Sequence, residues 1–413
     1  MDELEGSNLD SKRFDIVIVG AGIIGLATAM TLIRSKPRLH VAVLDKEADL
    51  GLHQTAHNSG VIHAGIYYTE GSKKANLCST GGRMLRRYCD DHGIEYVNCG
   101  KVIVAVNESE IPVLEELKRR GIENGATGLE SIDAKRLREL EPHAAGLKAI
   151  YSPNTGIVDY GQVARALATE VRDGGGELLL GTKVVGTATD NRSLRLETSQ
   201  GEIVTRGVIN CAGLHADVIA RLMSVETGVR IIPFRGEFFT LRPERTDLIQ
   251  GLIYPVPNPR LPFLGVHFTR RTNGTVEAGP NAVLALAREG YRKSDIDIAE
   301  IMGIIRYGGF WRMSMTYWKA GIAEEIRSFW KETFVRSLQK LVPEIRKRDL
   351  QSATAGVRAQ AVDTKGRLLQ DFSIVSTRNS IHVLNAPSPA ATACLAIGRH
   401  IEALASEAFD LRA

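Results

Sequence analysis

A glycine-rich turn near the beginning of the chain separates a predicted strand from a predicted helix. Phe14–Val19 is an apolar, β-branched run, typical of a strand that is buried on both faces of a parallel sheet. The sequence GAGIIG follows at positions 20–25, and Leu26–Ser35 then has the Ala, Met, Leu and Ile content of a helix. A strand, a GxGxxG turn and a helix in this order are typical of a Rossmann-like dinucleotide-binding unit.

Each glycine of this turn has a separate predicted function. Gly20 allows the tight turn, Gly22 the close approach of the backbone to a diphosphate, and Gly25 the packing of helix against strand. The diphosphate would then bind the unpaired N–H groups at the positive end of the helix. A second strand, Val41–Leu44, ends at Asp45, whose carboxylate can accept hydrogen bonds from a ribose 2′-hydroxyl group. An acid at this position disfavours the 2′-phosphate of NADP.

Size, charge and cysteine content exclude several classes of protein. With 413 residues, 44% of them hydrophobic, the chain is expected to form two domains with sizeable cores. The net charge of +4 is small for this length, so we expect no binding to nucleic acid. The five cysteines are far apart and form no CxxC pair, which predicts reduced thiols. Without a Cys/His cluster or an HExxH motif, no metal site is predicted.

The sequence contains no evident membrane-spanning or targeting segment. Uncharged apolar runs of about 18 residues do not occur, and we therefore expect no transmembrane helix. The segment Met1–Ser11 carries four acidic side chains, whereas a mitochondrial transit peptide is rich in arginine and poor in acids. Any targeting signal is therefore expected to be absent from this sequence or already removed.

The segment after the ribose acid indicates a flavin rather than a nicotinamide cofactor. Gly51–Tyr68 (GLHQTAHNSGVIHAGIYY) is polar and rich in His and Gly, where a nicotinamide domain would begin another helix. Here the sequence resembles the D-amino-acid-oxidase-like flavoprotein superfamily, in which such a segment runs beside the diphosphate and the flavin. VINCAG at 208–213 and NAPSPAAT at 385–392 resemble later segments of the same superfamily. The second leads into a predicted helix, Ala393–Ala405, whose start can stabilise negative charge on a reduced flavin.

Within that superfamily, the sequence resembles the L-2-hydroxyglutarate dehydrogenase family, including its bacterial oxidase relatives. The resemblance covers nearly the whole chain from Phe14 onward. It rests on the motifs HQTAHNSGVIHAGIYY (53–68), PFRGEFF (233–239), GVHFT (265–269), GPNAV (279–283), GVRAQ (356–360) and NAPSPAATA (385–393).

The resemblance implies FAD as the cofactor and a set of residues that contact it. These are Gly20, Gly22, Ile24, Gly25, Asp45, Lys46, Thr55, His57, Asn58, Ser59, Val184, Ala212, Gly213, Ser388, Pro389, Ala390, Ala391 and Thr392. His57 aligns with a position that is covalently linked to the flavin in some superfamily members. We prefer a noncovalent contact at this position.

The chain is predicted to form an α/β fold of two domains that are interleaved in sequence. The helix Gly161–Arg172 and the strand Glu177–Leu180 indicate a return to the nucleotide-binding sheet after an excursion. We predict a Rossmann-like FAD-binding domain and an α+β substrate domain whose antiparallel sheet covers the flavin. The FAD-binding domain should comprise residues 13–85, 155–228 and 350–413, and the substrate domain residues 86–154 and 229–349.

The stretch 301–345 is predicted to be helical, with Trp, Tyr and Phe interspersed among Arg and Lys. This composition is typical of helices on a membrane surface, which place aromatic rings at the level of the lipid headgroups. The alternative is a helical pair that packs against the core. The resembled family includes membrane-associated members, which favours peripheral membrane contact.

Two histidines are the candidates for the chemical step. Oxidation of a 2-hydroxy acid requires a hydride to leave C2 for flavin N5 and a base to take the hydroxyl proton. His63 in GVIHAG and His267 in GVHFT are candidates for the base or for a carboxylate ligand, and the sequence leaves their order open. For each of them, the alternative is a histidine that only bonds the backbone and holds a loop.

A five-carbon diacid carries two negative charges, so its site should contain cations or several hydrogen-bond donors. Arg358 in GVRAQ is the first candidate because its turn precedes the flavin loop and arginine suits bidentate carboxylate recognition. Arg235 in PFRGE, Lys74 and Tyr67 are further candidates, with a solvated surface position as the alternative for Lys74.

These features together predict FAD-dependent oxidation of L-2-hydroxyglutarate to 2-oxoglutarate. The alternatives are a related flavoprotein dehydrogenase for glycerol 3-phosphate, malate or a secondary amine, or a flavin-binding scaffold without catalysis. A quinone, an electron-transfer flavoprotein and oxygen all stay open as the electron acceptor. The resemblance implies a mitochondrial location with association to the inner membrane.

Overall fold

The computed structural model describes residues 12–190, 193–258 and 264–411, so the acidic segment Met1–Ser11 lies outside the described residues. The helices of the described part are α1 (Ile23–Ser35), α2 (Lys73–Asp91), α3 (Ile111–Glu123), α4 (Ala134–Leu140), α5 (Tyr160–Asp173), α6 (Ala216–Leu222), α7 (Ile298–Ile305), α8 (Gly308–Phe329), α9 (Lys331–Gln339) and α10 (Cys394–Ala408). The strands are β1 (Lys12–Val19), β2 (Val41–Leu44), β3 (Val61–Ile62), β4 (Tyr96–Val97), β5 (Lys101–Ala105), β6 (Glu130–Asp133), β7 (Lys148–Ser152), β8 (Gly156–Val158), β9 (Glu177–Leu179), β10 (Val184–Asp190), β11 (Ser193–Thr198), β12 (Gly201–Asn210), β13 (Val229–Gly236), β14 (Phe239–Leu241), β15 (Leu252–Pro255), β16 (His267–Arg270), β17 (Val276–Gly279), β18 (Val283–Leu284), β19 (Leu350–Ser352), β20 (Gly356–Asp363), β21 (Ser373–Ser376) and β22 (Ser380–Asn385).

One sheet carries the N-terminal glycine turn. Its strands lie in the order β10-β11-β12-β1-β2-β9, with β22 paired to β12 and β21 paired to β22. β1 pairs in parallel with β2 and β12 and is buried over most of its length, which accounts for its run of Ile and Val. The predicted Rossmann-like α/β fold is confirmed by this arrangement.

Helices α1, α5 and α10 share one hydrophobic cluster with the sheet, and this cluster includes Ile16 and Ile18 of β1. α10 comes very close to α1, because a Cβ atom on Gly398 would lie only 2.7 Å from the carbonyl oxygen of Ala27. A side chain at position 398 would therefore push α10 away. This close packing brings together the two helices that follow the glycine turn and the C-terminal loop.

A second large sheet has the strand order β19-β14-β17-β16-β15-β5-β7-β6. Its neighbouring strands are antiparallel except for β5 and β15, which pair in parallel. A parallel pair needs a long crossover connection. The chain supplies one, because it passes through the nucleotide-binding sheet between β7 and β13. The sheet is therefore mixed, whereas the sequence predicted an antiparallel one.

Strand pairing near residue 350 crosses the predicted domain boundary. β19 pairs with β14, and β20 pairs with β13 along its whole length, from Gly236↔Gly356 to Val229↔Asp363. These strands were predicted to belong to the FAD-binding domain, yet they complete sheets of the predicted substrate domain. Conversely, α2 continues past residue 85 and packs Tyr88 and Cys89 into the cluster around β1. The division into two domains stays a prediction.

Helices α7 and α8 expose large apolar side chains. On α7 these are Ile298, Met302 and Ile305, spaced four and three residues apart, and Ile298 is 75% exposed. On α8 the exposed positions have a similar helical spacing and comprise Trp311, Met315, Trp318, Ile322, Ile326 and Phe329. Among the residues that the structure describes, no helix has the length and apolarity needed to cross a membrane.

Candidate active site

The glycine turn has the close contacts that its sequence predicts. Gly20 has φ = 112°, and a Cβ atom there would lie 2.5 Å from the carbonyl oxygen of Cys211. At Gly25 a Cβ atom would lie 1.9 Å from the carbonyl oxygen of Gly20. Gly22 is different, because a Cβ atom there would only touch the hydroxyl of Thr55 at 3.4 Å. Gly20 and Gly25 are therefore needed by the fold itself, and Gly22 leaves space in front of the helix.

The start of α1 is open to an anion. Gly22 precedes the helix and provides no side-chain cap, and the N–H of Ile23 donates to the Thr55 hydroxyl at 3.0 Å. The next N–H groups, beginning with that of Ile24, are the ones that a helix leaves unpaired at its positive end. Asp45 is held beside this turn, since its carboxylate accepts from the N–H of Ala21 at 2.8 Å.

The loop that carries Thr55, His57, Asn58 and Ser59 is fixed by backbone contacts. The Asn58 amide donates to the carbonyl of Gln54 at 3.2 Å and its oxygen accepts from the N–H of Gly60 at 2.8 Å. His57 packs against the ring of Tyr291, with a centroid distance of 4.5 Å. Thr55 is buried, whereas His57, Asn58 and Ser59 are partly exposed.

The remaining predicted contacts on the adenosine side come from the start of β10 and from the turn after β12. Val184 is buried in a cluster with strands of the nucleotide-binding sheet. The N–H of Ala212 donates to the buried Asn210 side chain at 3.1 Å, and Gly213 has a positive φ of 50°. These contacts hold the turn after β12 beside the first glycine turn, since the N–H of Cys211 donates to the carbonyl of Val19 at 2.8 Å.

A polar cluster follows the ribose acid. Lys46 pairs with Glu47 and, at 2.7 Å, with Glu289, while His53 lies 3.0 Å from Glu47. A hydrogen bond from His215 and the nearby ammonium of Lys46 lower the pKa of Glu289 to about 2. The side chains of Glu47, His53 and Glu289 are close enough to share an ion, but the Lys46 ammonium already contacts both carboxylates. The absence of a metal site stays a prediction.

The C-terminal loop Ser388–Thr392 lies against the segment that contains His63. The buried hydroxyl of Thr392 accepts from the N–H of His63 at 3.1 Å and lies 3.0 Å from the hydroxyl of Tyr160. The Ser388 hydroxyl lies 3.3 Å from Nε2 of His63. α10 then begins without a side-chain cap. The loop, which includes Pro389, Ala390 and Ala391, is thus placed between His63 and a free helix start.

Both predicted catalytic histidines are neutral at physiological pH. Burial, together with the positive charge of Lys101, lowers the pKa of His63 to about 3. Burial also lowers the pKa of His267 to about 3, and nearby Arg358 and Lys101 act in the same direction. Nδ1 of His267 lies 2.9 Å from the carbonyl of Gly265, so it carries the proton and leaves Nε2 as a hydrogen-bond acceptor.

The predicted substrate ligands fall into two groups. The positive charge of Arg358 lowers the pKa of His267, and that of Lys74 lowers the pKa of His63. Both cations therefore lie near the two histidines. Burial lowers the pKa of both cations. Arg235 instead lies 3.3 Å from Glu237 and donates to the carbonyl of Arg292. Its role as a substrate ligand stays a prediction.

Lys101, which was not a candidate from the sequence, also lies near His63 and His267. It is 1% exposed, and its ammonium lies 4.6 Å from the ring centre of Tyr67 and 5.1 Å from that of Tyr254. His267 stacks on Tyr254, which is one of these two rings, with ring centres 3.9 Å apart. The available signal was a lysine at the start of the apolar run KVIVA, which predicts a buried strand.

The described residues fit FAD. The open start of α1 and the carboxylate of Asp45 suit the diphosphate and the ribose of an adenine dinucleotide. Nδ1 of His63, next to the C-terminal loop, and the hydroxyl of Tyr67 are buried without a hydrogen-bond partner among the described residues. Unpaired buried polar atoms are rare and indicate a ligand or water. These features fit a polar ligand bound beside His63.

The fold and the site define an FAD-dependent oxidoreductase of the D-amino-acid-oxidase type. The family model of the FAD dependent oxidoreductases matches residues 15–404. Among solved structures, an FAD-bound, dithionite-reduced L-α-glycerophosphate oxidase from Mycoplasma pneumoniae superimposes with a TM-score of 0.78 at 21% identity, covering 97% of this chain and 96% of that one. L-proline dehydrogenase from P. horikoshii has a TM-score of 0.70 at 16% identity, covering 96% and 94%. These two structures share the fold.

Sequence relatives narrow the class further, and the chain belongs to the L-2-hydroxyglutarate dehydrogenase family. It is 47% identical to the L-2-hydroxyglutarate dehydrogenase of Indibacter alkaliphilus over 93% of this chain and 97% of that protein. Identity to the mitochondrial enzyme of Homo sapiens is 45% over 97% and 90% of the two chains. Identity to the L-2-hydroxyglutarate dehydrogenase of Escherichia coli K12 is 44%, over 94% of this chain and 92% of that protein. The eukaryotic relative is named as mitochondrial and the bacterial ones are not.

Proposed function

We propose that this enzyme oxidises L-2-hydroxyglutarate to 2-oxoglutarate and passes the electrons to a separate acceptor. When bound, FAD supplies the acceptor for the hydride that leaves C2. The observation that supports the reaction is the grouping of two neutral histidines with the partly buried Arg358. The family membership supports the choice of substrate.

His267 is proposed as the base that takes the hydroxyl proton. Its Nδ1 proton is held by the carbonyl of Gly265, and stacking on Tyr254 fixes the plane of the ring. Nε2 is therefore positioned with its lone pair available. His63, beside the C-terminal loop, is proposed to bond the substrate through Nδ1, which has no partner among the described residues.

Arg358 is proposed to bind the carboxylate that is attached to C2. The positive charge of Arg358 lowers the pKa of His267, so the guanidinium group lies close to the proposed base. A guanidinium group can bind a carboxylate through two parallel hydrogen bonds, and this fixes the neighbouring C2 atom. Lys74 and Tyr67 are proposed to complete the lining of the same site.

Anaerobic flavin bleaching tests the proposed substrate. The purified protein should lose its visible flavin absorbance on addition of L-2-hydroxyglutarate, and one equivalent of 2-oxoglutarate should form. D-2-hydroxyglutarate, malate and glycerol 3-phosphate serve as matched controls, and dithionite shows that the flavin is reducible. Bleaching by glycerol 3-phosphate or malate in preference to L-2-hydroxyglutarate would assign one of the related dehydrogenase activities instead. A flavin that dithionite reduces and none of these compounds bleaches would favour a scaffold.

The electron acceptor is tested in the same preparation. We propose a quinone or an electron-transfer flavoprotein rather than oxygen, in keeping with the dehydrogenase names of the relatives. Reoxidation of the reduced flavin by a soluble ubiquinone analogue should then be at least tenfold faster than by air-saturated buffer. Equal or faster reoxidation by air would identify an oxidase.

The apolar face of α7 and α8 is proposed to lie on a membrane surface. Lys293 lies 4.8 Å from the ring centre of Phe329 and Lys319 lies 5.5 Å from that of Trp318, so cations accompany the exposed aromatic rings. This combination suits anionic headgroups above an apolar layer. The protein should cosediment with vesicles that contain phosphatidylserine, and Met315→Glu with Trp318→Glu should abolish this. Cosedimentation that survives both substitutions would refute the proposal, as would wild-type protein that stays in the supernatant.

A further inference from the structure

Lys101 is a buried cation in the protein interior, and no carboxylate of the described residues pairs with it. Its side chain is 1% exposed and lies between the rings of Tyr67 and Tyr254. Among the described residues, the titratable groups that interact with it are Cys78, His63 and His267, and none of these is an acid that is charged at neutral pH. Its neighbours on the same face of the strand, Ile103 and Ala105, are apolar.

Such a position is unfavourable for folding. Moving an ammonium group from water into an apolar interior is costly unless a negative charge accompanies it. The two aromatic rings offset only part of this cost, because a cation over a ring gains little compared with the hydration that it loses. Burial accordingly lowers the pKa of Lys101 to about 7. A charge in this position is expected to have a function that compensates for its cost.

The charges of the site match those of a diacid. Both histidines are neutral, so Arg358 and Lys101 are the cations next to His267. L-2-hydroxyglutarate carries one carboxylate beside C2 and a second at C5. If Arg358 binds the first, as the proposed function states, Lys101 and Lys74 remain for the second. Lys74 already has the carboxylate of Asp371 nearby, whereas Lys101 has no such group among the described residues. Binding of the diacid would supply Lys101 with the anion that it lacks among the described residues.

We propose that Lys101 binds the C5 carboxylate of the substrate and makes the site selective for five-carbon diacids over monoacids. This inference rests on the proposed function. The bound carboxylate stabilises the protonated lysine, so binding of substrate or product above neutral pH takes up a proton from solution. Tyr67 and Tyr254 stay neutral over this pH range, since burial raises the pKa of both hydroxyls.

The test measures product binding to the FAD-loaded enzyme through the change in flavin absorbance. The variants are Lys101→Met, which keeps the length of the side chain, and Lys340→Met as a matched control on the exposed end of α9. Loss of a charge-assisted bond should raise the Kd for 2-oxoglutarate about 10- to 100-fold in Lys101→Met. The Kd for 2-oxobutyrate, which lacks the C5 carboxylate, should be unchanged. Lys340→Met should match the wild type for both ligands.

Two further measurements keep the inference falsifiable. In the wild type, the Kd for 2-oxoglutarate should rise about tenfold per pH unit above the pKa of Lys101, and this dependence should disappear in Lys101→Met. The thermal midpoint of Lys101→Met should rise, because an unpaired buried charge has been removed. A variant that binds 2-oxoglutarate as tightly as the wild type overturns the inference. So does an equal loss of affinity for both ligands.

The outcomes also separate this inference from the proposed function. If L-2-hydroxyglutarate bleaches the wild-type flavin but Lys101→Met retains the wild-type Kd, the role of Lys101 is wrong and the proposed reaction stands. If the wild type is not bleached and does not bind 2-oxoglutarate, the proposed function fails, and the inference fails with it.

Discussion

The hydroxyl group of Thr392 accepts a hydrogen bond from the backbone N–H of His63 at 3.1 Å, although the two residues are 329 positions apart in sequence. The same hydroxyl contacts Tyr160 and the carbonyl oxygen of Val61. Segments from the beginning, the middle and the end of the chain therefore meet at one buried oxygen atom. This atom holds the C-terminal loop in position beside the segment that carries His63.

Replacing Thr392 by Val should loosen this junction. The change keeps the volume but leaves the N–H of His63 without its partner, which should lower the free energy of unfolding by about 1–3 kcal/mol. The FAD content after dialysis should also fall. Urea unfolding and the absorbance ratio of flavin to protein measure the two effects. Thr169→Val, at an exposed position of α5, is the control; a Thr392→Val protein as stable and as yellow as this control would contradict the prediction.

Two glycines of the N-terminal turn should respond differently to alanine. At Gly25 the new Cβ atom would lie 1.9 Å from a backbone oxygen, so Gly25→Ala should destabilise the protein and prevent FAD binding. At Gly22 the Cβ atom meets only the Thr55 hydroxyl at 3.4 Å, so the protein should fold normally and lose FAD affinity. Thermal unfolding of the two FAD-free proteins, followed by FAD titration, distinguishes these effects. Equal losses of stability in the two variants would show that the fold needs Gly22 as much as Gly25.

Replacing the proposed base should separate catalysis from cofactor binding. His267→Gln should lower kcat about 100- to 10,000-fold, as is typical for the loss of a general base. His63→Gln should mainly raise KM, because its proposed contact is with the substrate. Both proteins should retain FAD, which the visible spectrum shows, and His143→Gln at the protein surface is the control. Near-normal turnover in His267→Gln would remove this residue from the mechanism.

Stability should fall between pH 6.5 and pH 3. His63 and His267 have pKa values lowered to about 3 in the folded protein, whereas an unfolded histidine titrates near 6.5. The unfolded state therefore binds more protons over this range. For each histidine, the free energy of unfolding should decrease by about 1.4 kcal/mol for every pH unit by which the pH falls. Urea midpoints at pH 7, 6 and 5 measure this slope. His267→Gln should reduce it, and an unchanged slope would show that other groups are responsible.

The nucleotide-binding part was predictable because its signals are local. The run Phe14–Val19 predicted β1 within two residues, and the helix Gly161–Arg172 is present as Tyr160–Asp173. Asp45 follows β2 and lies beside the glycine turn, while its contact with a ribose stays a prediction. Each of these features depends on periodicity or on a turn within about 30 residues. Local physical rules therefore sufficed for the elements that are predicted to hold the dinucleotide.

The substrate side was less predictable because its contacts are distant in sequence. Arg235 was a candidate ligand, but its partner Glu237 could not be assigned from the motif PFRGE. Lys101 reaches the site through pairing of β5 with β15, a strand about 150 residues away, and no local pattern indicates that pairing. The strand pairing near residue 350 was unpredictable for the same reason, since β20 pairs with β13 across more than 100 residues.

The register of β5 limits where this enzyme can gain or lose residues. Side chains of neighbouring strand residues point to opposite faces, so Lys101 shares its face with Ile103, whereas Val102 packs into another cluster. Insertion of a single residue between Gly100 and Lys101, without other change, would exchange these faces and direct the ammonium away from the histidines. Length variation among natural homologues should therefore be confined to the loops on either side of this strand.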